Sequence, residues 1–166
     1  MTPSDLSPGS IASTDGRQSQ PALAIARGTG RLLLSLGLAS LAEVSLPNGR
    51  RADLMAVSLA GDITIVEVKS SIEDFRADQK WPAYRDFCDR LYFAVAPDFP
   101  VEILPAETGL IIADRYGGEL QRAAPEHRLP AARRKAMLLR LARLGALRQQ
   151  SLADPELKLE PGTWDA

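Results

Sequence analysis

Asp53, Glu67 and Lys69, with Glu43 as a fourth group, have the types and spacing of a phosphodiester-cleaving site. In Ile65-Val66-Glu67-Val68-Lys69 the acid and the lysine are two residues apart, so on a strand they share one face while Val66 and Val68 take the other. Carboxylates gathered in a low dielectric repel one another, and a divalent cation removes the conflict. Hard carboxylate oxygens suit Mg²⁺ or Mn²⁺, with Asp53 and Glu67 as the expected ligands and Glu43 as a third or outer group. Such an ion acidifies water and polarises phosphate, and Lys69 would orient the water or stabilise charge in the transition state. Acid and lysine pairs also occur on solvated strand edges. The active-site reading rests on placement, because these acids end strands otherwise rich in Val, Ile, Leu and Met, where unpaired charge is costly.

Three short apolar runs must hold these groups: Leu38 to Leu46, Arg51 to Leu59 and Ile63 to Lys69. Pro47-Asn48-Gly49 suits a three-residue hairpin loop, with Pro presetting φ and Gly taking the left-handed position, and Ala60-Gly61-Asp62 is a weaker version of it. The result is an antiparallel three-strand meander. Its first loop places Glu43 across from Asp53, and a three-residue second loop that pairs Leu59 with Ile63 places Asp53 across from Lys69. All four polar groups then meet at one end of one sheet face.

Around this meander, Pro21 to Leu36 reads as a buried helix stopped by Gly37, although Gly28 and Gly30 weaken it. After Lys69 the alternation stops. Pro82 belongs in a first helical turn, which predicts a helix from about Lys80 to Cys88 and, before it, only a separate short turn. Leu91 to Ala96 and Gly109 to Asp114 are continuous apolar runs, as in strands covered on both faces. Tyr116 to Leu120 suits an edge hairpin, and a last helix runs from Ala131 to about Leu147. Residues 1–19, rich in Ser, Pro, Thr, Gly and Gln, read as a disordered tail, 20–150 as one domain and 151–166 as a C-terminal tail.

The segments Arg50-Arg51-Ala52-Asp53-Leu54 and Ile65-Val66-Glu67-Val68-Lys69-Ser70-Ser71 resemble the signature of PD-(D/E)XK nucleases, with Ala52 in place of the name-giving proline. The stretch from Asp74 to Phe93, above all Lys80-Trp81-Pro82-Ala83-Tyr84, resembles the bacterial MmcB-type DNA repair proteins. The resemblance implies a restriction-endonuclease-like α/β core, with a mixed central sheet flanked by helices, and a role in DNA repair. The expected activity is Mg²⁺- or Mn²⁺-dependent DNA hydrolysis. The alternative is a non-catalytic module on the same fold that binds DNA or a repair partner.

The formal net charge of -1 excludes a broadly basic DNA-coating protein and leaves room for a local basic face. No acidic residue lies between Glu126 and Asp154, where Arg128, Arg133, Arg134, Lys135, Arg140, Arg143 and Arg148 fall, so the last helix is a candidate phosphate-binding surface. Arg50, Arg51, Lys80, Tyr84, Arg133, Arg134 and Lys135 are the expected DNA contacts, with Lys80 and Tyr84 four apart on one helical face. Trp81 reads as a core anchor. The single cysteine, Cys88, reads as core, and His127 as exposed. There is no nucleotide-binding loop and no His-Glu-x-x-His zinc motif. With no secretory leader and no membrane-spanning apolar run, the expectation is a cytoplasmic protein that acts on DNA, with homodimerisation as a route to both strands.

Overall fold

The computed structural model describes residues 19–158, 160 and 163. The expectation of a disordered tail at 1–19 falls, apart from Ser19, outside the described residues. Helix α1 spans Gln20–Ser35, capped by the Ser19 hydroxyl, which accepts the Ala22 N–H, and ended at Gly37 with φ +77°. Gly28 is required by close approach, since a Cβ there would lie 1.8 Å from the carbonyl oxygen of Asp114.

Six strands follow: β1 (Ala39–Ser45), β2 (Arg51–Val57), β3 (Ile63–Lys69), β4 (Arg90–Val95), β5 (Gly109–Ala113) and β6 (Gly118–Arg122). They form one mixed sheet in chain order, antiparallel from β1 to β3, parallel from β3 to β5, and antiparallel again at β6. Between β3 and β4 lie α2 (Ile72–Ala77) and a 3₁₀ helix at Trp81–Phe87. Helix α3 runs over Ala131–Ala153, past the expected end near Leu147 and into the stretch read as tail.

Alternation along β3 divides the core. Val66 and Val68 join Ala22, Ile25 and Leu33 of α1 beneath one face. Ile63 and Ile65 face Phe75, Trp81, Tyr84 and, from α3, Met137, Leu141 and Leu144. Trp81 packs edge-on against Phe93, so it anchors the core as expected. Glu67 and Lys69 continue the Ile63, Ile65 face, in register with the buried Phe93 and Val95 of β4. Of the described helices, none is long and apolar enough to cross a membrane.

The first hairpin loop is Pro47-Asn48-Gly49, closed by Leu46 N–H to Arg50 O at 2.7 Å with Gly49 at φ +80°. The second differs from expectation. Ser58 and Asp62 close it, Gly61 takes φ +84°, and the three loop residues are Leu59-Ala60-Gly61 rather than Ala60-Gly61-Asp62. Moving a loop back by one residue moves the register by two. Leu54 therefore pairs with Val66, which sets Asp53 against Glu67 instead of Lys69. A two-residue change preserves the face, so the acids still converge.

Candidate active site

The ladder between β2 and β3 ends at Leu54 and Val66, and there the two acids replace main-chain pairing with side-chain pairing. Glu67 Oε1 accepts the Asp53 N–H at 3.2 Å, and Asp53 Oδ2 accepts the Val68 N–H at 2.8 Å. Each carboxylate thus satisfies a donor on the other's strand and is held by it.

A kink contributes to this geometry. Val44 and Ala52 pair directly and share the cluster of Leu41 and Met55, three residues away along each strand, so both strands slip one position in their alternation at Glu43 and Asp53. Glu43 has φ +52°, unusual for a side chain with a Cβ. Its side chain is exposed and lies 3.7 Å from Arg51. Glu43 stands opposite Asp53 by register count, yet it does not line the cleft, which corrects its expected place beside the other acids.

Asp53, Glu67 and Lys69 do come together, in an open cleft of about 530 Å³ that Arg50, Arg51, Ser70, Asp74, Asp78 and Tyr84 also line. Glu67 is 3% exposed, and burial first and the nearby Asp53 carboxylate second push its pKa up to about 8. Among the described residues no cation lies within ion-pair distance of it. Lys69 is 4% exposed, and its Nζ lies 2.9 Å from Asp78 Oδ2. Burial opposes its charge, but the hydrogen bond and charge of Asp78, with Glu67 behind them, outweigh that and raise its pKa.

Asp78 was not singled out in the sequence, nor was Asp74. The available signal was Ser71-x-x-Asp74, a helix-start pattern. Ser71 Oγ accepts the Asp74 N–H at 3.0 Å and Asp74 Oδ2 accepts the Ser70 N–H at 3.1 Å, starting α2 immediately after β3 and returning Asp78 to Lys69. Arg50 lies 3.7 Å from the other Asp78 oxygen and stacks on the Tyr84 ring, whose hydroxyl donates to Arg51 O at 3.1 Å.

Of the remaining expected DNA contacts, Tyr84 lines the cleft and Lys80, Arg133, Arg134 and Lys135 do not. Trp81–Phe87 is a 3₁₀ helix, where residues four apart do not share a face. Lys80 is accordingly exposed at its start while Tyr84 is buried, which corrects their expected common face. Arg134 grips the fully buried Asp89 with two bonds of 2.6 and 2.7 Å and donates to Gly61 O, beside the first residue of β3 and six residues, or about 20 Å, from Lys69. Arg133 lies over Phe87 and donates to Asp86 O. Arg140 bonds Ser45 O, and Arg148 bonds the carbonyls of Ala42 and Glu43. Much of the basic helix therefore ties α3 to the sheet instead of presenting a free face, while Lys135 and Arg143 are exposed. Cys88 is buried, its thiol pushed up to about 12 by burial, and His127 is exposed.

The donor set suits a divalent ion in part. Two hard carboxylates with an ionisation conflict favour one. Among the described residues, however, no group of three or more His, Cys, Asp and Glu side chains could hold a metal. Among the described side chains, an ion there would rely on Asp53 and Glu67. A groove of about 590 Å³ along α3, lined by Leu129, Leu138, Leu139 and Lys135 among others, contains no carboxylate.

No curated protein matches the chain. A solved structure described as the SPO1766 protein of unknown function from Silicibacter pomeroyi is 44% identical, with a TM-score of 0.82 over 86% of this chain and 98% of that one. A family model described as DNA repair protein MmcB-like matches residues 10–156, and the chain accordingly belongs to the MmcB-like family.

Proposed function

We propose that this protein acts in DNA repair as a divalent-metal-dependent nuclease on a restriction-endonuclease-like core. The observation that carries this reading is the reciprocal clamp of Asp53 and Glu67, with Lys69 on the same strand face, in one open cleft. The helix, three-strand meander, helical crossover and parallel strand β4 are the arrangement such a core requires. Asp53 and Glu67 would hold Mg²⁺ or Mn²⁺, which when bound supplies Lewis-acid polarisation of the phosphodiester and acidification of water. Lys69, protonated and rigidly held, supplies positive charge at the scissile group. Arg50 and Arg51 at the cleft mouth bind flanking phosphates.

A non-catalytic DNA- or partner-binding module is the second reading, favoured by the lack, among the described residues, of a third acid placed to share an ion with Asp53 and Glu67. Incubation with nicked, single-stranded and duplex DNA in Mn²⁺ separates the two. The nuclease reading expects cleavage that falls at least a hundredfold in Asp53→Ala and Lys69→Ala, the scale of losing one electrostatic group. DNA binding without cleavage, or variants that cut as well as the parent, would leave only the binding module.

A further inference from the structure

Lys69 is the cation best placed to neutralise Glu67, being two residues away on the same strand face, and a direct pair between them would close the cleft to any ion. The structure directs it elsewhere. Its ammonium lies 2.9 Å from Asp78 Oδ2, and Asp78 follows α2, which the Ser71 and Asp74 caps start directly after β3. Asp78 is itself anchored: its Oδ1 accepts the Lys80 N–H at 3.2 Å and lies 3.7 Å from Arg50. The carboxylate is thus held through Oδ1 by groups other than Lys69, which takes Oδ2.

We propose that Asp78 is a positioning residue that holds Lys69 away from the acid pair, so that Glu67 stays open to a divalent cation. The inference rests on the metal-binding reading of Asp53 and Glu67. A buried lysine needs a carboxylate partner, and besides Asp78 this cleft offers Asp74, whose Oδ2 is already held by the Ser70 N–H at the start of α2, and the acids that would hold the ion. Removing Asp78 transfers Lys69 to Glu67, where a cation must then displace it.

Mn²⁺ binding, followed by the loss of the free-ion electron paramagnetic resonance signal in wild type, Asp78→Asn, Lys69→Met and the double variant, tests this without any assay of cleavage. Circular dichroism confirms that each variant is folded. The expected result is an affinity about tenfold weaker in Asp78→Asn, and a loss of less than about threefold when the same change is made on Lys69→Met. Equal losses in both backgrounds would show that Asp78 acts only through its charge, and no loss in either would show that it does nothing for the ion. Both results overturn the proposal. Wild-type protein that takes up no Mn²⁺ removes the metal-binding reading itself, a failure distinct from the other two.

Discussion

Glu67 concentrates the conflict in this cleft. A carboxyl whose pKa is about 8 in the folded chain, against 4.5 for an unperturbed glutamate, stabilises the fold fully below pH 4.5 and loses that contribution as pH rises through 8. Glutamine mimics the neutral form at every pH. Glu67→Gln is therefore expected to match wild type in Tm near pH 4.5 and to exceed it by roughly 5 °C or more at pH 8.5 in metal-free buffer, while losing Mn²⁺ binding. Thermal unfolding at the two pH values, with EDTA present, checks it. A lower Tm for the variant at pH 8.5 would mean that the glutamate is structurally satisfied as an anion. At this scale the sequence was informative. Glu67 and Lys69 are legible as face-sharing neighbours because strand geometry is local. Asp78 was not, since its meeting with Lys69 depends on how a short helix turns the chain.

Among the elements, β3 has the bounds expected, Ile63–Lys69, because a run of β-branched and apolar residues between turn residues leaves little choice. The second hairpin loop was misplaced by one residue, since Ser58-Leu59-Ala60-Gly61-Asp62 offers turn residues on both sides and only pairing decides between them. The kink at Glu43 was invisible for a related reason, as no Gly or Asn marks its positive φ. Arg134 is the clearest loss of legibility: in sequence it is one of a row of cations, and only tertiary contact reveals Asp89, 45 positions earlier. Burial alone would raise the Asp89 pKa, but the Arg134 guanidinium and the N–H groups of Ile63 and Leu129 outweigh it and hold it below the usual value. The stabilisation is then present above about pH 3.8 and lost as pH falls through the depressed folded value. Arg134→Met, which leaves Asp89 buried without its partner, is expected to destabilise by about 3–5 kcal/mol at pH 7 and by much less near pH 3, measured by urea unfolding. Unchanged stability with weakened DNA binding would return Arg134 to the nucleic-acid surface.

For the molecule as a whole, charge is placed locally rather than globally, consistent with a formal net charge of -1. Arg134, Arg140 and Arg148 are bonded to other parts of the protein, whereas Arg50 and Arg51, though paired with Asp78 and Glu43, line the cleft itself, so the proposed function expects the phosphate contacts chiefly around those two. A plot of log affinity against log salt for duplex DNA is expected to lose about one unit of slope in Arg50→Ala and almost none in Arg140→Ala. The reverse ranking would place the duplex on α3. The strands and the antiparallel meander were legible from the order of apolar runs, and the mixed sheet flanked by helices through the family resemblance. The division of arginines between support and surface was not, because composition counts charges without saying what they touch.

The proposed nuclease function requires a divalent ion held between Asp53 and Glu67. Crystals soaked in Mn²⁺ and measured for anomalous scattering should show a single strong peak touching carboxylate oxygens of both Asp53 and Glu67, absent in Glu67→Gln. A featureless map there, or manganese bound only elsewhere on the surface, would contradict it.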